Sequence, residues 1–529
     1  MGELLLAGVL ALLAAGSATA SEPELPPIPE KSAAELFKDV PAPWRDYLIQ
    51  ARGAERIADP LQRCLAYPDL PGNQWPKGHV EAHCKDHQVV AMLMADAQRR
   101  LQEGKLAELD AYIAGAMVRH AKATESSEEI HYFFQQFLSE TADAFTADWL
   151  RAVPDSAYAL TARALYYSGA AERVRGTKFS SETPREDLRR MTQLYDLATP
   201  LFRKAIASKP DFLPAWNGML SAAFRDSRAE LEAEAFAAAN AIDPGCQDLV
   251  DIRMQSLQPR WGGSYEAMLA YAEQLKPLLG KRPLLAREIA EPYADRGSWL
   301  ITSEEMTSEA ADVLNVALRI GSNDDALHNA ANVAFNAKDG SADEWKALAY
   351  LLQEARFRDG GLWANVNIAR MLVRRDPALA VKYATRAVAN DPEDAAARYY
   401  LAASNYNAKR FEEAEKNYLL AAKDKDRRQA SLRELVTMWM FAAGLEPRIG
   451  SAKAKPYLDQ LIREYPEDGR ARIYRIQSEG ALTRRVSNEL IQDFEKRMDP
   501  KDPVQVRFQK QFAEVIKNGI KPSPASKTK

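Results

Sequence analysis

The feature that most limits how this chain can fold is a period of 34 residues within the stretch 198–244. An aromatic residue, an alanine and a proline recur at that spacing. The two copies are Phe202, Ala205 and Pro210, followed by Phe236, Ala239 and Pro244. Such a period is typical of repeats built from two antiparallel helices. One helix pair cannot bury its apolar face alone, so neighbouring pairs must stack along an axis.

The same period returns towards the carboxyl terminus. Ala380 and Ala387 recur 34 positions later as Ala414 and Ala421. The second copy matches the tetratricopeptide consensus at further positions. These are Leu401, Ala402, Phe411 and Tyr418, whereas Arg398 and Asn405 depart from it. The predicted fold class is therefore all-α, a tetratricopeptide-like α-solenoid of antiparallel helix pairs.

The composition is that of a folded protein, with 47% hydrophobic and 27% charged residues among 529. A chain of this length is too long for one hydrophobic core, but a solenoid extends its core along one axis. The formal net charge is −4, so there is no basic excess and we predict no nucleic-acid partner. Beyond the amino-terminal apolar run, no stretch reaches the roughly 18 apolar residues that a membrane span needs. We therefore predict no membrane span.

The amino terminus has the pattern of an export signal. A short apolar run at 4–15 precedes Ala18-Thr19-Ala20, which is an A-x-A cleavage site. The residues before the run include Glu3 and no Lys or Arg, which departs from the usual basic start. We predict a signal peptide and, for the remaining chain, a periplasmic or secreted location.

The three cysteines are predicted to form one disulfide and one free thiol. Cys64 and Cys84 flank a loop rich in proline and glycine, and an exported chain allows them to pair. Closing a loop of this length contributes roughly 3 kcal/mol by restricting the unfolded chain. Cys246 is predicted to be a buried free thiol, with intermolecular pairing as the alternative.

Three histidines, His79, His83 and His87, recur at helical spacing and therefore share one face of a helix. Imidazoles at this spacing are typical of zinc ligands. However, Lys85 and Asp86 lie between them, and the sequence has no HExxH motif. We favour histidines on an exposed helix face and predict no metal, no cofactor and no catalytic residue. A zinc-dependent hydrolase at this stripe is the alternative.

Part of the chain resembles a known family, over roughly residues 140–280. The residues that carry the resemblance are Asp148-Trp149, Arg175-Gly176, Phe202 and the run Pro259-Arg260-Trp261-Gly262-Gly263-Ser264. They resemble the bacterial family catalogued as domain of unknown function 4034. The resemblance implies a helical, tetratricopeptide-like fold that is often exported. It implies no activity and no catalytic residue.

These observations predict seven regions along the chain. They are a signal peptide (1–20), a proline-rich linker (21–33), an N-terminal helical region with the disulfide loop (34–140), a tetratricopeptide-like domain of unknown function (141–280), further repeats (281–446), a helical C-terminal cap (447–516) and a disordered basic tail (517–529).

The repeat geometry also predicts where a partner would bind. Certain positions of each first helix line the concave face in proteins of this kind. They correspond to Asn217, Ser221, Phe224, Tyr399, Ala403 and Tyr406. We therefore predict a protein that binds another protein or peptide as a scaffold, assembly factor or inhibitor, without catalysis. The alternatives are an enzyme whose site forms only in three dimensions and a purely architectural envelope protein.

Overall fold

The computed structural model describes residues 28, 31–122, 128–303, 306–358 and 360–517. The predicted signal peptide, most of the predicted linker and nearly all of the predicted basic tail lie outside these residues. Within them the chain forms helices and no β-strand. None of the described helices combines the length and apolar character needed to cross a membrane.

The chain divides into two compact units. The first unit is Ala33–Gly360, and the second begins at Gly361. This division falls inside the region 281–446 that was predicted as one run of further repeats.

The first unit begins with a series of short helices and continues as helix pairs. The helices before the pairs are α1 (Ala33–Leu36), α2 (Trp44–Ala54), α3 (Pro60–Ala66), α4 (His79–Asp86), α5 (Met94–Gln102), α6 (Leu106–Lys122), α7 (Glu129–Gln135) and α8 (Asp143–Ala152). The pairs are α9 (Ala157–Arg175) with α10 (Arg185–Ser208), α11 (Leu213–Arg225) with α12 (Ala229–Ile242), α13 (Gln247–Ser256) with α14 (Tyr265–Leu275), α15 (Ala286–Ser303) with α16 (Ser308–Ile320), and α17 (Asp324–Asn336) with α18 (Glu344–Phe357).

The residues that recur every 34 positions pack closely between these helix pairs. Phe202, Ala205 and Ala239 are fully buried in one continuous core. Gly218 permits the close contact between α11 and α10, because a Cβ atom there would lie 2.6 Å from the ring of Phe202. Small residues recur in the repeat because they lie where helices approach each other most closely.

The helices before the pairs lie along one edge of the array. We call this the turn edge: it consists of the turns 209–212, 243–246, 282–285 and 321–323, which lead from the second helix of one pair to the first helix of the next. His79 lies with Nδ1 2.9 Å from the carbonyl oxygen of Pro283. His120 lies with Nε2 3.2 Å from Oδ2 of Asp243. The amino-terminal helices are therefore an integral part of the first unit.

The predicted disulfide between Cys64 and Cys84 is confirmed, with 5.8 Å between the Cα atoms. It joins α3 to α4 and so closes the loop between them. Cys246 is free and buried, as predicted. It precedes α13 in the turn edge.

The second unit is also built of helix pairs. They are α19 (Leu362–Leu372) with α20 (Pro377–Asn390), α21 (Ala395–Asn407) with α22 (Phe411–Ala421), α23 (Lys425–Thr437) with α24 (Pro447–Glu464), and α25 (Gly469–Thr483) with α26 (Asn488–Arg497), followed by α27 (Pro503–Lys517). The consensus residues Ala402, Ala414 and Tyr418 are buried in one core with residues of α23 and α24. These positions match the consensus because they form the contact between α21 and α22.

Candidate functional site

A cavity of about 370 Å³ lies between α7 and the first helices α9, α11 and α13. Its apolar lining includes Phe134, Leu165 and Ile252. Polar side chains surround this apolar surface, among them Ser221 and Asp248. A concave, mostly apolar surface with a few fixed polar groups is typical of ligand-binding sites.

Arg225 lines this cavity, and three neighbouring side chains hold its guanidinium group. Its Nε atom lies 3.1 Å from Oε1 of Glu172. One of its terminal nitrogens donates to Oε1 of Gln255 at 3.1 Å, and Nε donates to Oγ of Ser221 at 3.4 Å. The guanidinium is therefore held in one position by these contacts.

The three binding residues predicted on α11 have different surroundings. Asn217 and Ser221 both line the cavity. Asn217 is itself buried, and its Nδ2 donates to Oδ2 of Asp248 at 2.8 Å. Phe224 lies outside the cavity lining and is buried against Trp261, with the rings edge to face at 5.3 Å. Their predicted roles in binding stay predictions.

Carboxylates continue from the cavity along the first helices of the next pairs. Burial, followed by repulsion from Asp251, raises the pKa of Glu288 to about 8. Burial also raises the pKa of Glu291 to about 7, and Asp295 acts in the same direction. Carboxylates that raise the pKa of one another favour a cationic neighbour. Burial and mutual repulsion therefore disfavour the ionised form of these carboxyl groups.

In the second unit, the predicted binding residues Tyr399, Ala403 and Tyr406 are half-buried on α21 and pack against the core. Tyr399 meets Tyr418 edge to face at 5.5 Å between ring centroids. Burial raises the pKa of Tyr399 to about 12. Both tyrosines thus have core contacts as well as partial exposure.

The predicted stripe of exposed histidines is wrong for His79 and His83, whereas the alternative of a zinc site there stays a prediction. His79 and His83 are buried, whereas His87 is exposed at the end of α4. His79 Nε2 and His83 Nδ1 each lie 2.7 Å from the hydroxyl of Ser322. Burial lowers the pKa of His79 to about 4. The two rings are neutral hydrogen-bonding groups that dock α4 onto the turn edge.

A different group of residues has the composition of a metal site. His120, His131 and Cys246 each place a ligand atom within 4.8 Å of the others, and all three are buried. It is the one group of three such ligands found among the described residues. Sequence reasoning missed it because Cys246 is 115 residues from His131 and no motif links them.

Electrostatics at this cluster favour positive charge on the imidazoles. Burial alone would lower the pKa of His120, but its bond to Asp243 and its contacts with Cys246 and Glu128 raise it to about 10. The pKa of His131 is also raised well above its ordinary value, because Cys246, Asp248 and Glu128 together outweigh burial. Burial alone would raise the pKa of the Cys246 thiol, but the charge of His131 and the hydrogen bonds to His120 and His131 together lower it.

Comparison with known proteins agrees with the helix pairing. A family model described as a tetratricopeptide repeat matches residues 372–430. No curated protein matches the chain significantly in sequence.

Three solved structures with low sequence identity align over most of the chain. Yeast Tom70 is 14% identical, with 77% of this chain and 96% of that chain covered and a TM-score of 0.23. Naa15/Naa10 bound to HypK-THB is 13% identical, with 92% and 97% covered and a TM-score of 0.26. The human IFIT1 dimer with m7Gppp-AAAA is 11% identical, with 93% and 96% covered and a TM-score of 0.25. The family match and the paired helices together make this chain a tetratricopeptide-like helical-repeat protein.

Proposed function

We propose that this chain is an exported helical-repeat protein that binds a segment of another protein in the cavity between α9, α11 and α13. It acts there as a scaffold, assembly factor or inhibitor and performs no catalysis. Helical-repeat folds of this type commonly serve as interaction scaffolds. The observation that carries the proposal is the cavity of about 370 Å³, because Asn217 and Ser221 lie in it at the repeat positions predicted to face a partner.

The chemistry of the surroundings suggests what kind of segment fits. An apolar side chain can fill the cavity against Phe134 and Ile252. Basic side chains next to it can reach Asp251 and Glu291, whose raised pKa values reflect burial and neighbouring acids. We therefore propose a segment with an apolar anchor followed by Lys or Arg. Complementary charge of this kind fixes register and speeds association.

The absence of catalysis is also part of the proposal. The pKa of the Cys246 thiol is lowered, but its side chain is 0% exposed. A nucleophile must contact its substrate in order to react. The burial of Cys246 thus supports a structural role in preference to a catalytic one.

The export and family assignments rest on separate observations. The disulfide between Cys64 and Cys84 supports export, since disulfides persist in oxidising compartments. Membership of the family known as domain of unknown function 4034 is supported by packing between its matching residues. Arg175 lies over the ring of Trp261, with 5.3 Å from Cζ to the ring centroid. A Cβ atom at Gly263 would lie 2.1 Å from the carbonyl oxygen of Leu257, so this tight turn requires a glycine there.

Filling the cavity tests the proposed function. Ser221→Trp places a large ring in the cavity, and Ala237→Trp places the same ring on the exposed face of α12 as a control. The tagged protein and both variants are used to isolate partners from the cell envelope and the culture medium. Each partner is then purified, and its affinity is measured by calorimetry.

We expect Ser221→Trp to weaken the affinity at least tenfold, while Ala237→Trp leaves it unchanged and all three proteins retain the same thermal midpoint. Equal affinity for the three proteins would show that the cavity is not the binding site. Finding the protein only in the cytoplasm would contradict export.

A further inference from the structure

We propose that His120, His131, Cys246 and Glu128 bind one divalent transition metal ion, with zinc as the best match. The ion fastens the amino-terminal helices of the first unit to the turn edge. The site adjoins the proposed binding cavity, which His131, Asn217 and Asp248 also line, but it does not depend on partner binding.

The donor atoms lie close to one another. Nε2 of His131 lies 3.4 Å from Sγ of Cys246 and 3.6 Å from Oε2 of Glu128. Nδ1 of His120 lies 3.7 Å from Oε1 of Glu128. Ligands around a tetrahedral zinc ion are roughly 3.3–3.6 Å apart, given the usual bond lengths. The ligand atoms of His120, His131 and Cys246 lie within 4.8 Å of one another, so side-chain shifts of up to about 1 Å bring them to this spacing.

The outward-facing nitrogen of each imidazole lies against a carboxylate. Nε2 of His120 is 3.2 Å from Oδ2 of Asp243, and Nδ1 of His131 is 3.1 Å from Oδ2 of Asp248. This leaves Nδ1 of His120 and Nε2 of His131 to face the centre of the cluster. Histidines that bind metal ions almost always place the other ring nitrogen against a carboxylate, carbonyl or water. The arrangement thus includes the supporting contacts that orient such ligands.

The sulfur atom of Cys246 also has a supporting contact. Nδ2 of Asn217 lies 3.6 Å from Sγ of Cys246 and so offers a hydrogen bond to a thiolate. Thiolate is the form of cysteine that binds metal. A thiolate and the Glu128 carboxylate together balance the charge of a divalent ion.

Burial indicates a structural site. The four ligand residues are between 0% and 5% exposed. Structural zinc sites are closed by four protein ligands, whereas catalytic sites keep a position open to water or substrate. Two histidines, one cysteine and one carboxylate complete such a closed set.

The position of the ligands indicates what the ion does. His120 lies near the end of α6, and Glu128 and His131 lie at the start of α7. Cys246 belongs to the turn before α13. An ion bound to all four residues joins parts of the chain that are far apart in sequence. Because the unfolded chain does not preserve such a site, binding stabilises the folded first unit.

Cobalt substitution tests the proposal on the full chain. Cys246 is the one cysteine outside the disulfide, so a near-ultraviolet thiolate-to-cobalt charge-transfer band reports on it alone. We expect this band on addition of Co²⁺, its loss on addition of zinc, and roughly one equivalent of zinc retained after desalting. No band, together with less than about a tenth of an equivalent of retained zinc, would overturn the proposal. The cluster would then be an ion-pair network of protonated histidines.

Variants separate ligands from their surroundings. Cys246→Ser and His131→Asn are expected to lose the retained zinc, whereas His87→Asn retains it, because His87 is exposed and outside the cluster. Asp248→Asn keeps all four ligands and is expected to weaken zinc affinity about 10–100-fold. Zinc retained in both Cys246→Ser and His131→Asn would contradict the site. If a ligand variant fails to fold, the cobalt spectrum of the unchanged chain still decides the matter.

Discussion

Arg356 donates a hydrogen bond from Nε to the carbonyl oxygen of Cys64 at 2.8 Å. The guanidinium also donates to Oδ1 of Asp69 at 2.7 Å, and it is almost completely buried. The second helix of the last pair in the first unit therefore holds the disulfide loop at its base. This contact joins residues that are nearly 300 positions apart in sequence.

Replacing Arg356 tests how much its contacts with the disulfide loop contribute to the free energy of unfolding. Arg356→Met retains much of the side-chain volume but leaves the Cys64 carbonyl group without its donor. We expect a loss of about 2–3 kcal/mol in the free energy of unfolding, measured by urea denaturation. Arg151→Met is the control, because Arg151 pairs with Asp148 on the surface. Exposed pairs contribute about 0–1 kcal/mol, so equal losses in the two variants would contradict the assignment.

The disulfide itself is expected to stabilise the first unit. It closes a loop with a sequence separation of 20 residues, for which chain entropy gives roughly 3 kcal/mol. Replacing Cys64 and Cys84 together by serine should lower the urea midpoint accordingly. Dithiothreitol should lower the midpoint of the unchanged chain and have no effect on the double variant. If dithiothreitol lowered the urea midpoint of both proteins equally, its effect would not come from this disulfide.

The neutral histidines of α4 predict a loss of stability in acid. Burial lowers the pKa of His79 from 6.5 to about 4, and Arg287 acts in the same direction. Between these values the unfolded chain binds more protons than the folded chain. The neutral His79 ring therefore makes its full contribution to the free energy of unfolding above pH 6.5. This contribution, on the order of 3 kcal/mol, is lost as the pH falls towards 4.

Urea denaturation at several pH values measures this effect. His79→Gln removes the titrating group, so the difference in unfolding free energy between variant and unchanged chain should shrink as the pH falls from 6.5 to 4. His87→Gln is the control, because His87 is exposed and outside the contact with Ser322. A constant difference for His79→Gln across this range would show that His79 is not buried as a neutral ring.

The repeat architecture could be predicted because its physical cause is local. A residue type is required wherever two neighbouring helices touch, and the requirement recurs with every pair. Ala402, Ala414 and Tyr418 match the consensus and are buried together for this reason. The disulfide was also predictable, since Cys64 and Cys84 flank one loop.

The environment of the histidines could not be predicted in this way. Helical spacing places His79 and His83 on one face but does not say what covers that face. The residues that pack on this face are Ser322 and Phe357, which are distant in sequence. The His83 ring stacks on the Phe357 ring, with 4.0 Å between the ring centroids. The packing of α4 onto the turn edge has no periodic signal. Phe224 shows the same limit, since Trp261 from an irregular turn packs against it.

Gly218 provides a test of the close helix contact that the period encodes. A Cβ atom there would lie 2.6 Å from the buried ring of Phe202 and 3.1 Å from Cδ2 of Leu165. We expect Gly218→Ala to lower the free energy of unfolding by about 1–3 kcal/mol, since overpacking outweighs the gain in helix propensity. Gly53→Ala on α2 is the control, because a Cβ atom added at Gly53 would meet no neighbouring atom within 4 Å. Thermal or urea unfolding that shows no loss for Gly218→Ala would contradict the contact.

Tyr399 and Tyr406 on α21 test whether partial exposure or core packing dominates. Tyr399 and Tyr406 both pack against the core that contains Tyr418. We expect Tyr399→Ala with Tyr406→Ala to cost about 2–4 kcal/mol, since each change removes a half-buried ring. Replacement of both by Phe should cost much less, because it retains the rings. Phe441→Ala, at a ring that is 53% exposed, is the control in the same unit. A thermal midpoint unchanged by the double alanine variant would instead favour the predicted role of both rings as contacts for a partner.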